Sequence, residues 1–312
     1  MVVRQHGHRG GVAALLVAAV LASSVAATGC SKRDARADER ARASGDLALV
    51  RAAADALIRS GSSRARTSME TANGGTRVVI RGRGGFDYGR GLGRLRVVLP
   101  EDAAGSEERR PVTELLAPGE LYMKDRGAGV PPDKWVRVDT TGLPDGNLVT
   151  GGATDPLAAA ALLRGAREVR YVGRARADED GTVVRHFRGI SDLRRAAERA
   201  SRHARGALAA AARGFSTRVV PFDVFLDGEG VPRKMRHRFT FAEPGDPDGG
   251  RGDRGDGGER GDRGRDGGGQ REPGPEVEVI STTVLYAFGA RVDVELPPER
   301  DIYAGTIAVT GP

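Results

Sequence analysis

Apolar positions along this chain change their period several times, and each change marks a predicted element. In residues 46–60, Leu47, Val50, Ala54, Leu57 and Ile58 fall at helical spacing, with Ser44 or Asp46 as cap and Gly61 as stop. From about residue 64 to residue 139 the period becomes two. Strands are predicted over 76–81, 92–99, 111–116, 120–125 and 135–139. Leu95, Val97 and Leu99 alternate there with Arg94, Arg96 and Val98, so one face seeks apolar cover and the other tolerates solvent. Gly84-Gly85, Pro118-Gly119 and Pro131-Pro132-Asp133 mark turns.

The second half alternates helices with pairs of strands. Thr154-Asp155-Pro156 opens a short helix that Gly165 stops. Strands at 168–175 and 182–189 follow. Ser191-Asp192 caps the longest predicted helix, which runs to about Arg213 on a largely alanine face. A hairpin then pairs 219–226 with 232–241, and 276–288 and 290–296 complete the sheet. Residues 302–309 add a little more strand. Residues 244–275, almost wholly Gly, Asp, Arg, Glu and Pro, bury too little apolar surface to order themselves and read as a disordered insertion. Helices and strands segregate without a βαβ rhythm, which predicts an α+β fold on an antiparallel sheet and excludes a dinucleotide-binding crossover fold.

The N-terminal pattern bears on location. Arg4 and Arg9, without acidic neighbours, precede an apolar run from residue 12 to 27, as in a secretory signal. The run is too short and alanine-rich for a good spanning helix. It ends in Ala27-Thr28-Gly29-Cys30, which resembles a bacterial lipobox, with Ala27 where leucine is usual. That resemblance implies a diacylglyceryl group on Cys30, the only cysteine of the 312 residues. Residues 1–29 are then a lipoprotein signal peptide, 30–45 a flexible polar tether, and 46–312 a single domain. With no disulfide available, a hydrophobic core must hold that domain together.

Net charge is +7, carried almost wholly by arginine, since lysine occurs only at positions 32, 124, 134 and 234. With the abundant Ala and Gly, this fits a GC-rich, actinobacterial genome. The basic residues are scattered and not interleaved with aromatics, so nucleic acid is not expected as a partner. Attraction to anionic headgroups is the better use of the charge. The predicted helix after residue 192 carries Arg194, Arg195, Arg199, Arg202, His203, Arg205 and Arg213, read as a solvated basic face. Arg-Gly-Asp recurs at 251–253, 254–256 and 260–262, as that composition produces by chance. His186 and His237 read as satisfied strand residues. No metal set, nucleophile elbow or phosphate loop is present, so neither a metal, a cofactor nor catalysis is expected.

The order of elements, with particular residues, resembles the actinobacterial lipoproteins of the LppX/LprG type, relatives in shape of the LolA/LolB carriers. The residues behind it are Cys30, Gly85-Phe86-Asp87-Tyr88, Glu120-Leu121-Tyr122-Met123-Lys124 and Lys134-Trp135-Val136-Arg137-Val138. Asp155-Pro156, the stretch 183–189, Val224-Phe225-Leu226-Asp227 and Leu296-Pro297-Pro298 complete them. The 244–275 insertion is foreign to the pattern. The resemblance implies a strongly curved antiparallel sheet, a half-barrel, with helices covering its concave face and an apolar cavity between. It implies a lipid-anchored envelope protein that binds or carries a lipid or glycolipid, and no enzymatic role.

Candidates to line the cavity are Leu95, Val97, Leu121, Met123 and Trp135 from the first half. Val224, Leu226, Met235, Phe239 and Leu285 come from the second. The same residues serve equally as plain core. In that case the protein is a sensor or a docking module for an envelope protein partner.

Overall fold

The computed structural model describes residues 30–73, 76–99, 111–127, 129–177, 179–242 and 276–305. The predicted signal segment and the 244–275 insertion lie outside them. The chain divides between Ser44 and Gly45 into two compact units, and the sheet belongs to the second. The elements are α1 (Cys30–Arg59), β1 (Ser62–Asn73), β2 (Thr76–Asp87), β3 (Leu92–Val98), β4 (Val112–Ala117), β5 (Glu120–Lys124) and β6 (Trp135–Asp139). Then come α2 (Pro156–Leu162), β7 (Ala166–Arg176), β8 (Val183–Asp192), α3 (Leu193–Arg199), α4 (Arg202–Gly214), β9 (Val219–Leu226), β10 (Pro232–Ala242) and β11 (Glu276–Tyr286).

The eleven strands among the described residues form one antiparallel sheet in the order β6-β5-β4-β3-β2-β1-β11-β10-β9-β8-β7, strongly curved and open between β6 and β7. Glycines allow the bend. Phe86 on β2 faces Gly93 on β3, and its ring lies where a Cβ on Gly93 would stand. A Cβ on Gly84 would collide with the Arg94 carbonyl.

The helices cover the concave face. Val50, Ala53, Ala54 and Leu57 of α1 pack with Leu95, Val97, Val224 and Leu285 of the sheet. Leu162 of α2, Leu193 and Ala196 of α3 and Leu208 and Ala211 of α4 pack over Met69, Val220, Phe239 and Val279. Helix α2 is buried along its length, and its alanines let the backbone approach the sheet closely. Asp155 caps it, accepting from the Leu157 N–H at 2.8 Å, with Pro156 at its first position. The preceding loop is fixed by Thr154, whose hydroxyl donates to the Leu148 carbonyl at 2.7 Å and shares a 2.6 Å bond with Ser281 of β11.

Four expectations change. Residues 31–44, read as a flexible tether, are helical, because α1 starts at Cys30. This stretch is rich in Ala and Arg, strong helix formers, and without an apolar stripe the pattern gave no helix signal. Strand β1 is not singled out by the pattern, because its inward positions Ser63, Ala65 and Thr67 are small or polar. The single long helix after residue 192 is two, since Ala200 is extended and Ser201 begins a new helix within a continuous alanine period. Residues 290–296 do not complete the sheet.

That last segment has no free edge to join, since β11 already pairs with β1 and β10. The chain turns at Ala287 and Gly289, both at positive φ, and crosses the convex face. Val292 and Val294 pack there on Leu92, Leu115 and Tyr122. Ile302 then forms an isolated parallel bridge with Trp135.

Candidate functional site

Of the ten residues predicted to line a cavity, Leu95, Val97, Leu121, Val224, Leu226, Met235 and Leu285 meet in one core cluster, with Met123 packed at its margin. Phe239 lies in the adjoining cluster beneath α3 and α4. Trp135 is on the other side of the sheet. In the register of β5 with β6, Met123 faces Val136 and Lys124 faces Trp135. The side-chain period of two therefore sends Trp135 to the convex face, onto Leu92, Leu115, Tyr122 and Val294. Leu95, Val97, Val224, Leu226 and Met235 are fully buried. A side chain beside a space wide enough for an acyl chain keeps surface open to that space. At these five positions the interior is filled.

Among the described residues, a concave-side opening lies at one end of the strands. A cleft of about 240 Å³ opens between the end of α1, the β2–β3 and β4–β5 turns, the loop after β6, and the starts of α2 and α4. Ile58, Leu116, Pro118, Leu157, Ala158 and Ala204 give it apolar walls. Tyr88, Glu120, Asn147, Asp155, Ser201 and His203 supply its polar groups. The volume falls just short of the roughly 300–1,000 Å³ of small-molecule pockets. It suits a small polar group or the end of an apolar chain.

Two of these groups are electrically unusual. Asp155 sits deep in the fold yet keeps part of its surface open to the cleft. Desolvation lifts its pKa to about 6, against the pull of the Leu157 and Ala158 N–H groups. Tyr88 shares a 2.6 Å hydrogen bond with Ser63. Desolvation raises the Tyr88 phenol above its ordinary range, and the nearby Asp155 charge adds to the rise. Glu120, at the rim, accepts from the Tyr122 hydroxyl at 2.6 Å. Carboxyl, amide and hydroxyl groups beside apolar walls make an amphiphilic site.

Among the buried ionisable groups on the concave face, sequence reading missed one and expected another to be satisfied. Glu114 of β4 stands between Leu95 and Met123, with both carboxyl oxygens buried and unpartnered. Desolvation lifts its pKa to about 8, opposed by Arg126. The inward place of Glu114 follows from its parity with Val112 and Leu116. His237, expected to be satisfied, has its Nε2 buried without a partner, and desolvation lowers its pKa to about 4. His186 does find a partner, Asp223 at 2.7 Å.

No family model and no curated protein matches the chain. Among solved structures it is similar to the lipoprotein LppX of Mycobacterium tuberculosis, at 10% identity and a TM-score of 0.41, over 80% of this chain and 98% of that one. It is similar to LprF of Mycobacterium bovis at 12% identity and a TM-score of 0.38, over 81% and 97% of the two chains. MucB aligns at 13% identity and a TM-score of 0.30, over 86% of this chain and 64% of its own. No helix among the described residues is long and apolar enough to cross a membrane.

Proposed function

We propose that this is a lipid-anchored envelope protein that binds one lipid-like amphiphile, held by its apolar end in the concave-side cleft. The observation that carries the reading is the cleft itself, with apolar walls, polar groups at Asp155, Asn147 and Tyr88, and a place at the seam between helices and sheet. Hydroxyl-bearing heads, as in a glycolipid, suit this mix of carboxyl, amide and hydroxyl groups. The apolar end gains about 0.8 kcal/mol for each methylene it buries. Deeper entry requires α2 and α4 to part from the sheet, which frees Leu162 and Leu208 from their packing there. The anchor is a diacylglyceryl group on Cys30, which would keep the cleft close to the membrane. Binding is passive, with no catalytic step.

Cys30→Ser protein, free of the anchor and purified without detergent, weighed by native mass spectrometry before and after addition of octyl glucoside, tests the binding. One bound amphiphile, lost in Ala204→Trp, is the expected result. A native protein that stays bare sinks it. The anchor has its own test, because Cys30→Ser should release the protein from membranes.

A second reading rests on the full burial of Leu95, Val97 and Val224. A filled core suits a module that docks an envelope protein and carries nothing. Failure to take up any amphiphile, with the fold intact, favours it.

A further inference from the structure

The break at Ala200 and Ser201 sets α3 and α4 at a corner, and a groove of about 450 Å³ opens there beside the start of β9. Ala197, Ala209 and Ala212 contribute its apolar surface. Arg194, Arg205, Arg213 and Arg218 reach it from both helices and from the residue preceding β9. The acidic group among its lining residues is Glu198, which Arg194 engages at 3.1 Å. Arg205 is steadied by a 3.2 Å hydrogen bond to the Ala200 carbonyl. Arg213 and Arg218 have no acidic partner among the described residues.

This groove is separate from the amphiphile cleft. At about 100° per residue, Arg205, Ala209 and Ala212 point away from Ala204 and Ala207, which line the cleft, so α4 stands between the two.

We propose that the α3–α4 groove binds a phosphate group, either on a lipid head or free. Guanidinium forks match phosphate oxygens two at a time, and forks arriving from three segments suit a tetrahedral anion better than a planar carboxylate. The alanine surface accepts the carbon beside the phosphate. Its lining among the described residues is arginine, alanine and Glu198, which offers contacts to phosphate and no ring for stacking a base. Sequence reading takes Arg194, Arg205 and Arg213 for the solvated face of one long helix, and Arg218 lies beyond that helix.

The test measures the Cys30→Ser chain, free of the anchor, against two probes, inorganic pyrophosphate by calorimetry and phosphatidylglycerol vesicles by flotation, with phosphatidylcholine vesicles as blank. Arg213→Gln with Arg218→Gln removes two exposed guanidiniums without touching the Arg205 bond. Arg83→Gln with Arg96→Gln, on the convex face, removes the same charge elsewhere. The expected result is binding that falls at least tenfold in the groove variant and less than twofold in the control. Binding to vesicles alone identifies a lipid headgroup, and binding to both probes identifies the phosphate itself. Equal losses in the two variants would show diffuse charge attraction and overturn the proposal, as would no binding to either probe.

Discussion

Glu114 and Arg126 attract each other across the margin of the core without forming an ion pair, and both Glu114 oxygens and Arg126 Nη1 are buried without partners. The carboxyl therefore stays protonated at neutral pH. Its pKa is about 8 in the folded chain against an ordinary 4.5. The folded state keeps a proton that the unfolded state gives up, so stability falls as pH rises from about 4.5 to about 8 and levels off beyond. Glu114→Gln should remove that slope and leave the protein more stable than the native chain at pH 8, by a few kcal/mol at most. Urea unfolding at a series of pH values measures it. A native-like slope in the variant would show that Glu114 is not the group responsible.

His237 works in the opposite direction. Its pKa is about 4 folded against 6.5 unfolded, so the unfolded state binds the extra proton. The contribution of His237 is complete above pH 6.5 and is lost as pH falls towards 4. Replacing the buried ring by leucine should flatten that acid limb while leaving the alkaline limb set by Glu114. Between about pH 4.5 and 6.5 the two effects offset each other in the native chain. The double variant should show both limbs flattened, and an unchanged acid limb in His237→Leu would refute the assignment.

Asp155 gives ligand binding its own pH dependence. With a pKa of about 6, its carboxyl is neutral below that pH and charged above it. Closing an uncharged amphiphile over a charged carboxylate costs more than over a neutral acid. Affinity for octyl glucoside should therefore weaken as pH rises through 6. Asp155→Asn keeps a helix-capping side chain and removes the titration, so its affinity should be level from pH 5 to 7. A profile that persists in the variant would place the titrating group elsewhere.

The sheet was legible wherever its inward positions are large and apolar. Leu95 with Val97, and Met235 with Phe239, announce their strands and their buried face. Strand β1 was not, since Ser63, Ala65 and Thr67 occupy the same face with small polar side chains. Trp135 shows why size alone misleads. It is the largest side chain of its strand, yet Val136 faces the concave core, and the register with β5 decides between them. The cleft was less legible still. Its walls come from turns and helix starts far apart in the chain, and nothing local in Asp155 or Glu120 marks them as neighbours. The α3–α4 groove depends on a break at Ser201 that the alanine period runs through.

The convex face carries a cost that one substitution should relieve. Cross-strand register sets Arg66 opposite Arg83 and Arg83 opposite Arg96, three like charges in one row across β1, β2 and β3. Arg66 is answered by Glu179, whereas Arg83 and Arg96 have no acidic partner among the described residues. Like charges directly opposite each other destabilise a sheet by about 0.2–1 kcal/mol per pair. Arg83 belongs to two such pairs, so Arg83→Thr should stabilise the fold by about 0.5–1 kcal/mol, helped by the strand preference of a β-branched residue. Salt separates the two contributions. In about 1 M salt, where screening acts over about 3 Å, the electrostatic part should vanish and only the strand preference remain. Urea midpoints of native and variant protein at low and high salt make the comparison. A gain that does not shrink with salt would mean that the arginine row carries no strain.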